Sequence, residues 1–572
     1  MTHIEIEDIE FIRKYALLNA YSHQGKAQIG AVIGRLLGQK PEFKSSIKEI
    51  SRAVHDVVTE VNGITSEQQL MELKDKYPKL LEQKTEKENE KIFPELINAE
   101  EGKVVTRFPP EPNGYPHIGH AKAAIIDETY AKMYKGKFIL RFDDTNPVAE
   151  KQEYYGAIKE GLEWLGVGLD YIKNTSDDMD IIYEYAKEFI SKNSAYVCKC
   201  PISKIRLNRS SGSDCSCKVN TIEVNLHEWE KMFTEYLPND AILRFRGDIK
   251  NLNTAMRDPT LFRILDHVHP LKGDRYRVWP TYDFSVVIED SLDGITHAMR
   301  TKEYELRDEL YFAIANTLGL NRVELIEFSR LELEGSPVSK RKLRPLIDQG
   351  IVEGWDDPRL PTLAGLKRRG ISPDAIRRFI LSMGVTKTES VPNYDVLESF
   401  NRKIMDPIVK RYYFISNPVK LKVSNAPKLK TKLRNHPDHD LGERIIDTRG
   451  EYMIPADDAS KLEEGDVFRL LELYNVKVER KTSEGIEGLF IGKEMSQRSP
   501  KIQWVNENNI KFKVLIPRPP FIDNKFDTES LGLMDGLAEE SLKTVPVGSL
   551  VQFVRFGFCR IDSPGIAIMT HK

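Results

Sequence analysis

The sequence contains no run of about 18 apolar residues, so no helix able to cross a membrane is expected. It lacks a basic-then-apolar leader: Met1 to Glu10 is acidic, and a cytoplasmic location is expected. Cysteine is scarce, with 5 in 572 residues. Four of them nevertheless crowd together, Cys198, Cys200, Cys215 and Cys217, while Cys559 stands alone. With no secretion signal, clustered thiols read as a metal site rather than a disulfide framework. Charge of either sign is not in excess: 84 basic against 87 acidic residues give a net −3, which announces no polyanionic partner. Internal repeats and long low-complexity segments are also absent.

What is present is an apolar content of 40%, ample for a core, and a length that suggests about three to five domains. Residues 1–100 read as a helical extension. Ile47, Ile50, Val54, Val57, Val58 and Val61 recur at three- and four-residue steps and define one apolar helix face. Ser46 with Glu49 makes a capping-box pattern at its start, and Gly63 fits its end. Glu82 to Lys91 is charged and reads as a surface helix or linker.

The texture changes at Lys103. Val104 to Phe108 is β-rich, a Pro/Gly turn spans Pro109 to Pro116, Ala121 to Met133 reads as a helix, and Lys137 to Phe142 as a strand. That βαβ order implies a parallel sheet with its ligand site at the strand ends. Residues 101–195 and 281–345 thus read as two halves of a Rossmann-like α/β domain, with 196–280 an irregular insertion. Residues 346–400 read as helical, Leu360 to Met383 especially. Beyond Asn401, runs such as Val419 to Val423, Val467 to Leu471, Ile510 to Val514 and Leu550 to Val554 alternate with turns. Residues 401–572 are therefore expected to form β-barrels. The fold class is multidomain α/β, with an N-terminal helical region and C-terminal all-β barrels.

The turn after the first strand runs Arg107-Phe108-Pro109-Pro110-Glu111-Pro112-Asn113-Gly114-Tyr115-Pro116-His117-Ile118-Gly119-His120. It ends where a helix begins, and a helix N-terminus offers free N–H groups and positive dipole to phosphate. His117 and His120 can share a face of the first turn. Gly119 between them lets a flat base approach the backbone. Taken alone, such a histidine pair is as readily structural. The whole string, however, resembles the HIGH signature of class I aminoacyl-tRNA synthetases, and its PPEPNG lead-in is similar to the glutaminyl and archaeal/eukaryotic glutamyl branch. Far downstream, Ser336-Pro337-Val338-Ser339-Lys340-Arg341-Lys342 resembles the KMSKS loop in its SKRK form. Pro337 and Val338 depart from that loop, so Ser339 and Lys340 alone are carried over. Leu140 to Pro147, Arg257 to Thr260, Pro280 to Phe284, Gly294 to His297 and Trp355 to Arg359 are similar to the same branch.

The resemblance implies an enzyme that activates an amino acid with Mg-ATP and passes it to the terminal ribose of tRNA. ATP is expected at Pro110, Gly119, His117, His120, Ser339 and Lys340, with His117, His120 and Lys340 stabilising charge in the transition state. Magnesium should bridge phosphate oxygens with few protein ligands. Asp143 is assigned to the α-amine, and Arg107, Tyr282 and Arg300 to the side chain. Arg300 points to glutamate, because a guanidinium meets a carboxylate with two charge-assisted hydrogen bonds. Glutamine-using relatives resemble one another in an uncharged residue there. The alternative is that Arg300 turns away to pair with Glu303 or Glu305. The expected partners are glutamate, ATP and tRNA(Glu).

The two C-x-C pairs can enclose a structural zinc tetrahedrally, with a reduced, metal-free cluster as the alternative. Arg206, Arg209 and Lys218 beside them read as acceptor-stem contacts or as loop cations. From Arg402 to Arg434, ten basic residues stand against one acid, Asp406. Lys428, Lys430 and Lys432 there are expected to meet tRNA phosphates, a solvated face being the other reading. Three rival functions remain. Glutamine could replace glutamate as substrate, which Arg300 decides. A nucleotidylyltransferase would need neither the Pro280 to Phe284 segment nor the large β C-terminus. A tRNA-binding protein without catalysis would need neither His117, His120 nor Lys340.

Overall fold

The structure, a computed structural model, describes residues 6–22, 25–39, 47–77, 93–494 and 499–572. Ser46 of the expected cap and the charged segment Glu82 to Lys91 lie outside the described residues. The chain divides into two compact units, Met1–Glu95 and Leu96–Lys572.

The first unit contains helices Ile6–Ser22, Ile29–Gln39, Ile47–Gly63 and Ser66–Lys76. Of the apolar steps of the third helix, Ile50, Val54, Val57, Val58 and Val61 are buried and pack with Ile12, Leu17 and Leu73, while Ile47, in the first turn, is exposed. Arg13 ties the first helix to the third through Glu60 at 2.6 Å and to the fourth through Glu72 at 2.8 Å.

In the second unit, β1 (Val105–Phe108) pairs in parallel with β2 (Lys137–Phe142), and β2 with β3 (Tyr171–Asn174). The connecting helix, Ile118–Met133, starts earlier than its apolar pattern suggested, because His117 caps it. The insertion is more regular than its sequence texture. Its strands β4 (Ala195–Cys198), β5 (Ile242–Phe245), β6 (Thr260–Ile264) and β7 (Val278–Pro280) form an antiparallel sheet, with helices Ile202–Ser211 and Ile222–Thr234 between the first two. Strands so short show no alternation long enough to register.

The chain then returns to the parallel layer as β8 (His297–Thr301) and β9 (Glu324–Phe328). β8 meets β1 at Thr296, whose N donates to Val105 O at 3.1 Å and whose Oγ1 accepts from Val105 N at 2.9 Å. β1 therefore has β2 on one side and β8 on the other. The connections diverge at that seam, which opens a crevice at the strand C-termini.

The helical stretch Leu360 to Met383 is two helices, Leu363–Arg369 and Pro373–Met383. Gly370, at φ 94°, ends the first in a conformation that a side chain would strain. Two seven-stranded sheets follow. One holds Pro418–Ser424 and Val467–Leu470, the other Asn509–Pro517 and Leu550–Phe553. No described helix is long and apolar enough to cross a membrane.

Candidate active site

A cleft of about 310 Å³ lies at the seam of β1 and β8. Segments far apart in sequence wall it: the end of β1 with its Pro-rich turn, the start of the Ile118–Met133 helix, Tyr282, the ends of β8 and β9, and Val338. Of the residues expected at the site, Arg107, Pro110, His117, Gly119, His120, Tyr282 and Arg300 line this cleft. Asp143, Ser339 and Lys340 do not line it.

His117 and His120 form a reciprocal cap. His117 Nδ1 accepts from Gly119 N at 3.1 Å, and His120 Nδ1 accepts from His117 N at 3.2 Å. The rings stack with centroids 3.8 Å apart. Both Nδ1 atoms carry lone pairs, so in the neutral rings both protons sit on Nε2. Burial pulls His120 down to about 4 and His117 well below its usual range, with the Lys340 charge acting the same way. The helix start therefore presents two neutral N–H donors rather than two cations. Gly119 is hemmed in: a Cβ there would come within 3.0 Å of the His117 ring and 3.3 Å of Leu331 O.

Lys340 opens the helix Lys340–Asp348, which Ser339 precedes as N-cap residue. Its side chain lies over the lead-in turn, since a Cβ on Gly114 would fall 2.6 Å from Lys340 Cε. Burial lowers the ammonium to about 8.

Three of the five N–H groups of Arg107 go to the protein floor. Its Nε and Nη2 donate to the two oxygens of Asp290 at 3.0 and 3.4 Å, and its Nη1 donates to Met299 O at 3.0 Å. Arg300 ends differently. It is paired with Asp308, it lies over the Tyr311 ring at 5.7 Å, and its Nε is buried without a hydrogen-bond partner. Glu303 and Glu305, the alternative partners, pair instead with Arg330 and Lys387. Tyr282 packs on Tyr304 with centroids 4.9 Å apart. Asp143 N donates to Pro110 O at 3.1 Å, which fixes the strand end to the turn. Burial, together with Glu111 and Glu150, pushes the Asp143 carboxyl up to about 7 against the pull of Arg141.

Sequence reasoning missed Asp290 and Glu111. Asp290 is fully buried and also receives Arg141 Nη2 at 2.7 Å and Tyr311 OH at 3.1 Å. Burial would raise its carboxyl, but the two arginines hold it below its usual range. The available signal was the acid pair Glu289-Asp290 directly after the apolar run Phe284 to Ile288. Glu111 lines the cleft and accepts from Asn146 Nδ2 at 3.0 Å.

Away from the cleft, the four clustered cysteines converge. Their sulfur atoms all lie within 4.8 Å of one another. Cys200 and Cys215 are 3.4 Å apart, Cys198 and Cys215 3.5 Å, Cys200 and Cys217 3.9 Å. Four thiolates at about 2.3 Å from one metal ion stand about 3.8 Å apart, so this donor set fits a tetrahedral cation. Of the nearby cations, Lys218 is occupied with Asp214, Gly247 O and Asp258, and Arg209 donates to Thr254 O. Lys428, Lys430 and Lys432 are all exposed, the last two on one strand, Leu429–Arg434, of a two-stranded ribbon.

This combination of a capped HIGH turn, a lysine loop and a parallel sheet has a counterpart among known families. Residues 103–407 match the family described as tRNA synthetases class I (E and Q), catalytic domain. Residues 409–490 and 501–562 match its anti-codon binding domains. The chain belongs to this family of class I tRNA synthetases. It is 49% identical to the glutamate–tRNA ligase of Nitrosopumilus maritimus over 562 residues, 98% of this chain and 99% of that one. With that of Cenarchaeum symbiosum the identity is 47% over 98% of each chain, and with that of Pyrococcus furiosus 40% over 100% of each.

Proposed function

We propose that the chain joins glutamate to tRNA(Glu) in two ATP-dependent steps. The observation that carries this is its similarity, over nearly the whole length, to glutamate–tRNA ligases at up to 49% identity. In the first step an oxygen of the glutamate α-carboxylate bonds to the α-phosphorus of Mg-ATP. The bond bridging the α- and β-phosphates breaks, and pyrophosphate leaves. In the second, a hydroxyl of the tRNA's terminal ribose attacks the acyl carbonyl, the carbonyl–phosphate bond breaks, and AMP departs with the hydroxyl proton passing to its phosphate.

The protein's part is positioning and charge stabilisation. The Nε2–H groups of His117 and His120 donate to phosphate oxygens, and the Lys340 ammonium offsets the charge that grows on them. Pro110, Gly119 and Ser339 border the nucleotide, where bound magnesium would offset phosphate charge. Asp143 receives the α-ammonium group. Tyr282 and Arg300 receive the side-chain carboxylate, with Arg107 holding the pocket floor through Asp290.

Cys198, Cys200, Cys215 and Cys217 would hold a structural zinc ion, which would cross-link the insertion. Lys428, Lys430 and Lys432 lie against tRNA phosphates. The protein acts in the cytoplasm, with translation. ATP–pyrophosphate exchange with glutamate against glutamine, with and without tRNA, tests the reading. Exchange dependent on glutamate and absent with glutamine supports it, and the reverse overturns it.

A further inference from the structure

Within the insertion, the loop between β6 and β7 doubles back at His269, whose N donates to Gly273 O at 2.8 Å. The His269 side chain is fully buried and stacks on Trp279 with centroids 5.0 Å apart. Its Nδ1 accepts from both Leu271 N and Lys272 N at 3.1 Å. Nδ1 therefore carries the lone pair, and in the neutral ring the proton sits on Nε2. Nε2 lies 3.1 Å from Asp144 O and 3.3 Å from Glu150 Oε2.

The hydrogen bond from Nε2–H goes to Asp144 O, and from Glu150, which faces the same nitrogen, hydrogen bonds run on toward the cleft. Glu150 Oε1 accepts from Asn146 N at 2.7 Å. Asn146 Nδ2 donates to Glu111 Oε1 at 3.0 Å, and Glu111 lines the cleft. Asp143 begins the same turn. Four carboxyl groups, Glu111, Asp143, Asp144 and Glu150, thus share one small region. Asp144 is satisfied by Ser176 N, Ser176 Oγ and Tyr155 OH. Glu150 Oε2 is buried with no partner of good hydrogen-bond geometry, and Nε2 of His269 is the donor that faces it. Arg263 donates to Pro280 O and Thr145 O, and its charge pulls on Asp143 and Glu150 from nearby without a hydrogen bond to either. Without the His269 donor, Glu150 Oε2 loses the N–H that faces it, and the turn that carries Asp143 loses its tie to the 265–277 loop.

We propose that His269 is a positioning residue for glutamate binding, locking the Asp143–Glu150 turn through Nε2–H and so linking the insertion to the cleft wall. The proposal rests on the reading of Asp143 as the α-amine receptor. It differs from a role confined to the 265–277 loop, which would run through Nδ1 alone.

The two ring nitrogens can be separated by substitution. In His269→Asn the amide oxygen stands in for Nδ1, keeping the loop hydrogen bonds and removing the donor to the turn. In His269→Gln the amide NH₂ stands in for Nε2–H. Pyrophosphate exchange with tRNA present gives KM for glutamate and for ATP, and thermal unfolding reports the loop. The expected result is a glutamate KM raised about 10- to 100-fold in His269→Asn, with ATP KM near that of the unmodified chain. His269→Gln should recover most of the loss. Glu150→Gln, which sets a donor against Nε2–H, should reproduce the glutamate defect even where the histidine variants fold poorly. Normal glutamate KM in His269→Asn or in Glu150→Gln, equal impairment by Asn and Gln, or glutamate and ATP KM rising together would each overturn the proposal. Glutamate-dependent exchange by the unmodified chain is the reference, so a failure of the reaction assignment shows there first.

Discussion

His120 accepts at Nδ1 the backbone N–H of His117, 3.2 Å away, and the two rings stack at 3.8 Å. The pair turns a helix N-terminus into two fixed neutral donors. Losing one such donor costs roughly 10²–10³ in rate. His120→Ala should therefore slow single-turnover formation of the adenylate by about that factor while leaving the Kd for tRNA unchanged. Near-normal activation in this variant would remove the histidines from the chemistry.

Lys340 titrates near the working range because burial lowers it to about 8. A lysine is charged below its pKa and neutral above it, so its contribution is present at low pH and lost as pH rises through about 8. The profile of kcat/KM for ATP, which reports the free protein, should fall on that alkaline limb. Lys340→Arg should carry the charge past that range and remove the limb, whatever its absolute rate. An unchanged limb in the arginine variant would assign it to another group.

The cysteine cluster should hold about one zinc ion per chain by elemental analysis. Cys198→Ser combined with Cys215→Ser should abolish it and lower the Tm. Stoichiometric zinc in the double variant would place the metal elsewhere.

Lys428, Lys430 and Lys432 face solvent, with Asp447 opposite Lys430 in register and Glu443 3.9 Å from Lys432. Neutral substitutions there should weaken tRNA binding and reduce the slope of log K against log salt by about 0.7–0.9 for each phosphate no longer neutralised. Unchanged affinity and slope would mean a solvated ribbon.

What the sequence made legible was whatever is local in the chain. The HIGH turn, the SKRK segment, the β1–helix–β2 unit and the apolar face of Ile47–Gly63 are written in adjacent residues. The cleft's assembly is not. β1 meets β8 through Thr296 and Val105, 191 residues apart. Arg107 lines the cleft, and the residues that hold it there, Asp290 and Met299, lie 183 and 192 residues away. The insertion's short strands carry too little periodicity to read. His269 gave no signal either, because what singles it out is which backbone groups surround each ring nitrogen.

We propose that Arg300 reads the glutamate side chain. Its Nε is buried and unpartnered, and its ion-pair partner Asp308 is partly exposed, so water can replace the arginine there. Breaking a buried charge pair costs roughly 3–5 kcal/mol, which corresponds to about 10²–10³ or more in rate. The decisive measurement is the ratio of kcat/KM for glutamate to that for glutamine, with tRNA present, in Arg300→Gln and in the unmodified chain. The ratio should fall by about 10² or more, because glutamine never needed the guanidinium charge. A ratio that stays unchanged would contradict the proposal.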